Sequence, residues 1–122
     1  MTGPARIGVD LGGTKTEVAL LDADGAPRVR RRVPTPAGYD AKIRAIRDLV
    51  AAAEAEAGLP PPRGVGIGVP GSIGPASGLM RNANSTDLNG RPLDRDLAEA
   101  LGRPVRVEND ANCFAVAEAR AG

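Results

Sequence analysis

Two short segments of this chain hold the residue types that chemistry requires. Asp10-Leu11-Gly12-Gly13-Thr14-Lys15-Thr16 gathers a carboxylate, a glycine pair, hydroxyls and an ammonium in one tight stretch. With no side chains at Gly12 and Gly13, backbone N–H groups can come close to an anion. A Gly-Gly pair also suits a primed two-residue hairpin turn, in which both central residues take positive φ. Thr14 adds a donor hydroxyl and Lys15 a point charge, and Asp10 offers the oxygen that holds magnesium beside a nucleoside triphosphate. The same residues also fit an ordinary glycine-turned hairpin. The second segment is Glu108-Asn109-Asp110-Ala111-Asn112. Ionised Asp110 only accepts hydrogen bonds, whereas Asn109 both donates and accepts. Such a pair can grip a polyol and take a proton from one hydroxyl, or it can cap a following helix. Asn82-Ala83-Asn84-Ser85 is a third polar cluster, in a region where asparagine is also an ordinary turn residue.

These segments need elements to position them. Ile7, Val9 and Leu11 alternate with polar or small residues, as do Val18 and Leu20, so strands are expected near residues 5–11 and 16–22. A third strand is expected near 28–34, after a turn at Asp22-Ala23-Asp24-Gly25 and ended by Pro34 and Pro36. Ile43, Ile46, Leu49, Val50, Ala53 and Ala57 follow helical spacing, with Asp40 as N-cap and Gly58 as terminator. Val65, Ile67 and Val69 alternate with Gly64, Gly66 and Gly68, predicting a buried strand whose glycine face meets a helix or a ligand. Residues 71–92 read as loop. Leu93, Leu97 and Leu101 predict a short helix, Val105 and Val107 a fifth strand, and a last helix starts near Asp110. The pattern describes an α/β layer with mixed strand directions. Polar groups at the carboxyl end of the fifth strand then stand where open α/β sheets bind ligands.

Composition narrows the function. The 122 residues suffice for one domain with a core. Hydrophobic content of 42% and charged content of 25% fall in the globular range. A net charge of +1 gives no bulk attraction to nucleic acid or membrane. Arg28, Arg30, Arg31 and Arg32 form the one dense basic run, read as a solvated edge strand in preference to an anion site. The chain has no histidine and a single cysteine, Cys113, so it contains no His-based catalyst, His-metal site or internal disulfide. No apolar stretch reaches membrane-spanning length and no signal region opens the chain, so a cytoplasmic location is expected.

Two short patterns are set aside. Gly66-Ile67-Gly68-Val69-Pro70-Gly71 matches the dinucleotide fingerprint, but Pro70 and the glycine-rich residues after it oppose the helix that the fingerprint requires. Asn84-Ser85-Thr86 is a glycosylation sequon without a secretory signal.

Taken together, the segments resemble the ROK (repressor, open reading frame, kinase) group of sugar kinases. The resemblance rests on Ile7 to Glu17, Gly66 to Ser72, Arg81 to Thr86 and Glu108 to Cys113, in that order and spacing. Asn-Ala-Asn-Ser-Thr followed by Leu88-Asn89-Gly90-Arg91-Pro92-Leu93 is most similar to the bacterial fructokinase or mannokinase branch. The resemblance implies an actin-like ATPase (ribonuclease H-like) N-terminal lobe, a mixed five-stranded sheet with helices, and transfer of the ATP γ-phosphoryl group to a hexose hydroxyl. By the same resemblance Asp110 is the catalytic base, and Asn84, Asn109, Asp110 and the backbone around Gly71 hold the sugar. Gly12, Gly13, Thr14 and Lys15 form the first phosphate loop, and Asp10 positions magnesium through water. Asp87-Leu88 departs from the family pattern, which commonly has an aromatic residue there.

The resemblance also places a second phosphate loop, the adenosine site, further sugar ligands and a Cys/His zinc site beyond Gly122. Residues 1–122 are therefore expected to be an N-terminal lobe lacking its C-terminal partner, inactive alone, with the complete protein a possible homodimer. Two other readings stand beside the kinase. One is a sugar-responsive repressor of the same group, whose helix-turn-helix would precede the first strand, where this sequence leaves no room. The other is a non-catalytic lobe that binds nucleotide or a partner.

Overall fold

The computed structural model describes residues 5–81, 83 and 86–109, with residues 72 and 109 described by backbone alone. In chain order the elements are β1 (Arg6–Leu11), β2 (Lys15–Leu21), β3 (Pro27–Pro34), α1 (Tyr39–Ala57), β4 (Val65–Val69), β5 (Ser72–Ile73), β6 (Met80–Arg81), a 3₁₀ turn (Thr86–Leu88), α2 (Leu93–Leu101) and β7 (Val105–Asn109). The helix expected from Asp110 lies outside the described residues.

Five strands form one sheet in the order β3-β2-β1-β4-β7. β1, β2 and β3 are an antiparallel meander, while β4 and β7 add in parallel to β1. The mixed directions follow from the connections. Short turns can return only antiparallel strands, whereas the α1 and α2 crossovers allow parallel ones. The alternating apolar residues point to one side, where Val9, Val18, Ile67 and Val69 are fully buried with Ile46, Val50 and Ala53 of α1 and Leu93 and Leu97 of α2.

Both helices stop where glycine allows it. Gly58 and Gly102 take left-handed φ of 65° and 71°, and each N–H reaches back to the last turn, to the carbonyls of Glu54 and Ala98. The start of α1 corrects the sequence expectation. Gly38 (φ 95°), not Asp40, is the N-cap, and Asp40 lies in the first turn, where its charge still suits the helix dipole. Tyr39 locks this start to α2, donating its hydroxyl to Asp96 Oδ2 at 2.6 Å beneath the Arg91 guanidinium. Burial, and then that bond, push its phenol pKa up. At the other end, Arg103 grips Glu54 through two bonds of 2.6 and 2.7 Å and donates to the Pro62 carbonyl.

β3 is an outer strand of the sheet, as the arginine run implied. Arg30 and Arg32 meet Glu17 at 2.7 and 3.4 Å, and Arg31 meets Glu56 at 2.7 Å, so the edge is charged and solvated. The β2–β3 turn is an Asx turn. Asp22 accepts the N–H groups of Asp24 and Ala26, and the Ala26 bond leads in holding its carboxyl below the usual value. The short β5–β6 hairpin, inside the stretch read as loop, is the element that periodicity does not reveal.

Candidate functional site

Because β1, β4 and β7 are parallel, their carboxyl ends meet at one edge of the sheet. Asp10 pairs in register with Gly68, and Gly68 with Glu108; one residue further, Val69 pairs with Asn109. The backbones of Asp10 and Asn109 therefore lie roughly 10 Å apart, two strand spacings across the sheet. The turn between β1 and β2 leaves from this same edge, and Gly71 sits just beyond β4. Asp10, Gly12, Gly13, Thr14, Lys15, Gly71 and Asn109 are thus gathered along one rim, although they come from distant parts of the chain. Asn84 and Asp110 lie outside the described residues, as does the Asn82 that opens the third polar cluster.

The phosphate-type turn differs from its expected form. Gly12 and Lys15 pair through a Gly12 N–H bond of 3.0 Å to the Lys15 carbonyl, which leaves Gly13 and Thr14 at the tip. Neither Gly12 nor Gly13 adopts positive φ, so this is not the primed turn expected for a Gly-Gly pair. Gly12 is required for another reason: a Cβ there would lie 2.7 Å from the Lys15 carbonyl oxygen. Its N–H is also already engaged. The donors left at the tip are the N–H groups of Gly13 and Thr14, which meet no acceptor among the described residues. A Cβ at Gly13 would meet open space, and Gly13, Thr14 and Lys15 are all exposed. An anion can reach these N–H groups, the Thr14 hydroxyl and the Lys15 ammonium together.

Residues that local reading missed hold the turn in shape. Thr16 is fully buried, and its hydroxyl lies 2.8 Å from that of Thr35. Thr35 donates to the Gly12 carbonyl at 2.8 Å, so the Thr16 proton completes the chain by pointing to Thr35. The Thr35 N–H also bonds the Thr14 carbonyl at 2.8 Å. Nineteen or more residues separate these partners, beyond the reach of any local pattern.

The loop between β6 and α2 has its own fastening. The Asn89 carboxamide accepts from the Ala83 N–H at 2.9 Å and donates to the Ala83 carbonyl, as a neighbouring strand would. Met80 and residues 90–91 bond backbone to backbone. Gly71 (φ 152°) lets the chain pass beside this loop, since a Cβ there would be 3.0 Å from the Arg81 carbonyl and 3.1 Å from Ala83 Cα. Asp87 is an anchor. Its Oδ2 accepts the Lys42 ammonium at 2.6 Å and the Gly38 N–H at 3.1 Å, and Lys42 foremost holds the carboxyl below the usual range. One signal did announce Lys42, a cation within the apolar stripe of α1, which burial obliges to find a partner.

Among the described residues no group of three His, Cys, Asp or Glu side chains gathers to hold a metal. Asp10, half-buried at the end of β1, fits the part of one protein carboxylate beside a metal that a polyphosphate carries in with it. No described helix is long and apolar enough to cross a membrane.

Sheet order, layering and the polar carboxyl edge define an actin-like ATPase lobe. The family model for the ROK family matches residues 6–122, and the chain belongs to that family. The N-acetyl-D-glucosamine kinase of Citrobacter koseri is 44% identical over 113 residues, which cover 92% of this chain and 37% of that protein. A ROK family glucokinase from Streptomyces griseus, solved with glucose and AMPPNP, superposes with a TM-score of 0.80 at 35% identity, over 97% of this chain and 37% of its own. The ROK hexokinase of Thermus thermophilus gives a TM-score of 0.75 at 35% identity, covering 88% of this chain and 36% of that one. The chain thus spans a little over a third of the length of these relatives.

Proposed function

We propose that residues 1–122 are the N-terminal lobe of an ATP-dependent sugar kinase that transfers the γ-phosphoryl group of ATP to a hexose hydroxyl. The observation that carries this reading is the shared edge: an anion-ready turn after β1 and the Asn109 end of β7 lie two strands apart on one rim. Phosphoryl transfer needs mainly this, a held phosphate chain beside a held and deprotonated alcohol. In this reading Gly13, Thr14 and Lys15 bind the phosphates, with Gly12 shaping the turn. Asp10 orients magnesium, which when bound offsets charge on the phosphate oxygens. Asn84, Asn109 and the backbone at Gly71 hold the sugar, and Asp110 accepts the proton of the attacking hydroxyl.

The names of the matched relatives favour an aldohexose or its N-acetylated amine. The Asn-Ala-Asn-Ser-Thr segment and its sequel favour fructose or mannose. A panel of N-acetylglucosamine, glucose, mannose and fructose with Mg-ATP, followed by ADP release from the complete protein, decides between them. ADP release that depends on none of these sugars would overturn the kinase reading. Residues 1–122 by themselves should turn over no hexose, since half a cleft cannot exclude water from the reaction.

A further inference from the structure

Among the described residues two polar side chains are buried, Thr16 (0% exposed) and Lys42 (5%), and both bond to the same short segment, residues 35–38. At its start, Thr35 bonds Thr16, the Gly12 carbonyl and the Thr14 carbonyl, which together fix the phosphate turn. One residue on, the Pro36 carbonyl accepts the Lys42 ammonium at 2.9 Å. The segment ends at Gly38, whose N–H shares Asp87 Oδ2 with that same ammonium. Asp87 lies within the loop that Ala83 and Asn89 cinch at its base.

The arrangement has the properties of a device for position. A hydroxyl pair and an ion pair are poor ways to gain stability inside a protein, because each must first lose water. They do impose one geometry, since a displaced partner leaves a buried polar group unsatisfied. The segment is short and leaves little slack between its two anchors.

Resting on the kinase reading above, we propose that residues 35–38 are a strap that holds the phosphate turn and the sugar loop in one frame. Thr35 and Lys42 are its positioning residues. A ligand that draws one anchor into its binding geometry then draws the other with it, so hexose and nucleotide bind with positive coupling.

The test measures the affinity of the complete protein for a non-hydrolysable ATP analogue by calorimetry, with and without saturating hexose. In the wild type the hexose should tighten the analogue about fivefold or more. Thr35→Val should bring that factor below about twofold, and Thr35→Ser, which keeps the hydroxyl, should restore it. Asp87→Asn, at the opposite anchor, should lower the same factor, so either end can decide if the other variant fails to fold. A structural role alone would lower the melting temperature and leave the factor intact. A folded Thr35→Val or Asp87→Asn protein that keeps the wild-type factor overturns the strap, as does a wild type without coupling. Hexose-dependent ADP release by the wild type checks the kinase reading separately. An active wild type with an unaltered coupling factor in Thr35→Val would sink the strap alone.

Discussion

Val18 and Thr16 lie two residues apart on one face of β2, and both are fully buried, for opposite reasons. Val18 belongs to the apolar layer beneath α1, where volume matters and direction does not. Thr16 directs a hydroxyl at Thr35 and so at the turn that leads out of β1. The sheet interior is thus built for stability and its carboxyl rim for placement. Substitutions in the interior should cost stability, and those at the rim should cost function.

The largest effect tests the rim. Asp110→Asn in the complete protein should cut kcat by on the order of 10²–10⁴ and leave the melting temperature unchanged. A rate within about threefold of wild type would remove Asp110 as the base. The interior should answer in reverse. Ile67→Ala, at a fully buried site, should lose about 2–5 kcal/mol in denaturant unfolding; a loss below about 1 kcal/mol would mean a core loose enough to collapse into the gap. Gly71→Ala should blur the contrast, since it forces a Cβ against Arg81 and Ala83 at a φ that side chains avoid. We expect about 1–3 kcal/mol of destabilisation together with a raised hexose KM. An effect on stability alone would make Gly71 a packing residue.

The smallest effect concerns acid. Lys42 holds the Asp87 carboxyl below its ordinary value of 3.8. A depressed folded pKa gives stability that is present above the ordinary value and lost as pH falls through the lower folded one. The melting temperature should therefore decline below about pH 4, and Asp87→Asn should flatten that decline. An unchanged acid slope would mean that Asp87 adds nothing to it.

How much of this was legible in the sequence depended on range. Alternation at Ile7, Val9 and Leu11 or at Val65, Ile67 and Val69 marks strands because each residue reports its own face. Gly58 and Gly102 mark helix ends because the left-handed cap is a local demand. The mixed strand directions were legible from the order of strands and helices, but the gathering of the rim rests on the parallel pairing of β1, β4 and β7, which the sequence reading did not specify. The Thr35 contacts and the Lys42–Asp87 pair did not follow, since their partners lie 19 to 45 residues away. Strands of two residues, such as β5 and β6, have no period to read. The Gly-Gly turn was recognised as a turn but misread in type, because Gly12 answers to a close carbonyl and not to positive φ.

The order of the sheet has a consequence for how the molecule assembles. β1, β2 and β3 pair with chain neighbours across short turns, so this half closes its contacts at low entropic cost. β4 and β7 must wait for the loops that contain α1 and α2 to close. Asp10 belongs to the hairpin half and Asn109 to the half that depends on those longer closures. The rim therefore comes into being with the final pairing, and a chain that stalls before it holds a formed hairpin and no site.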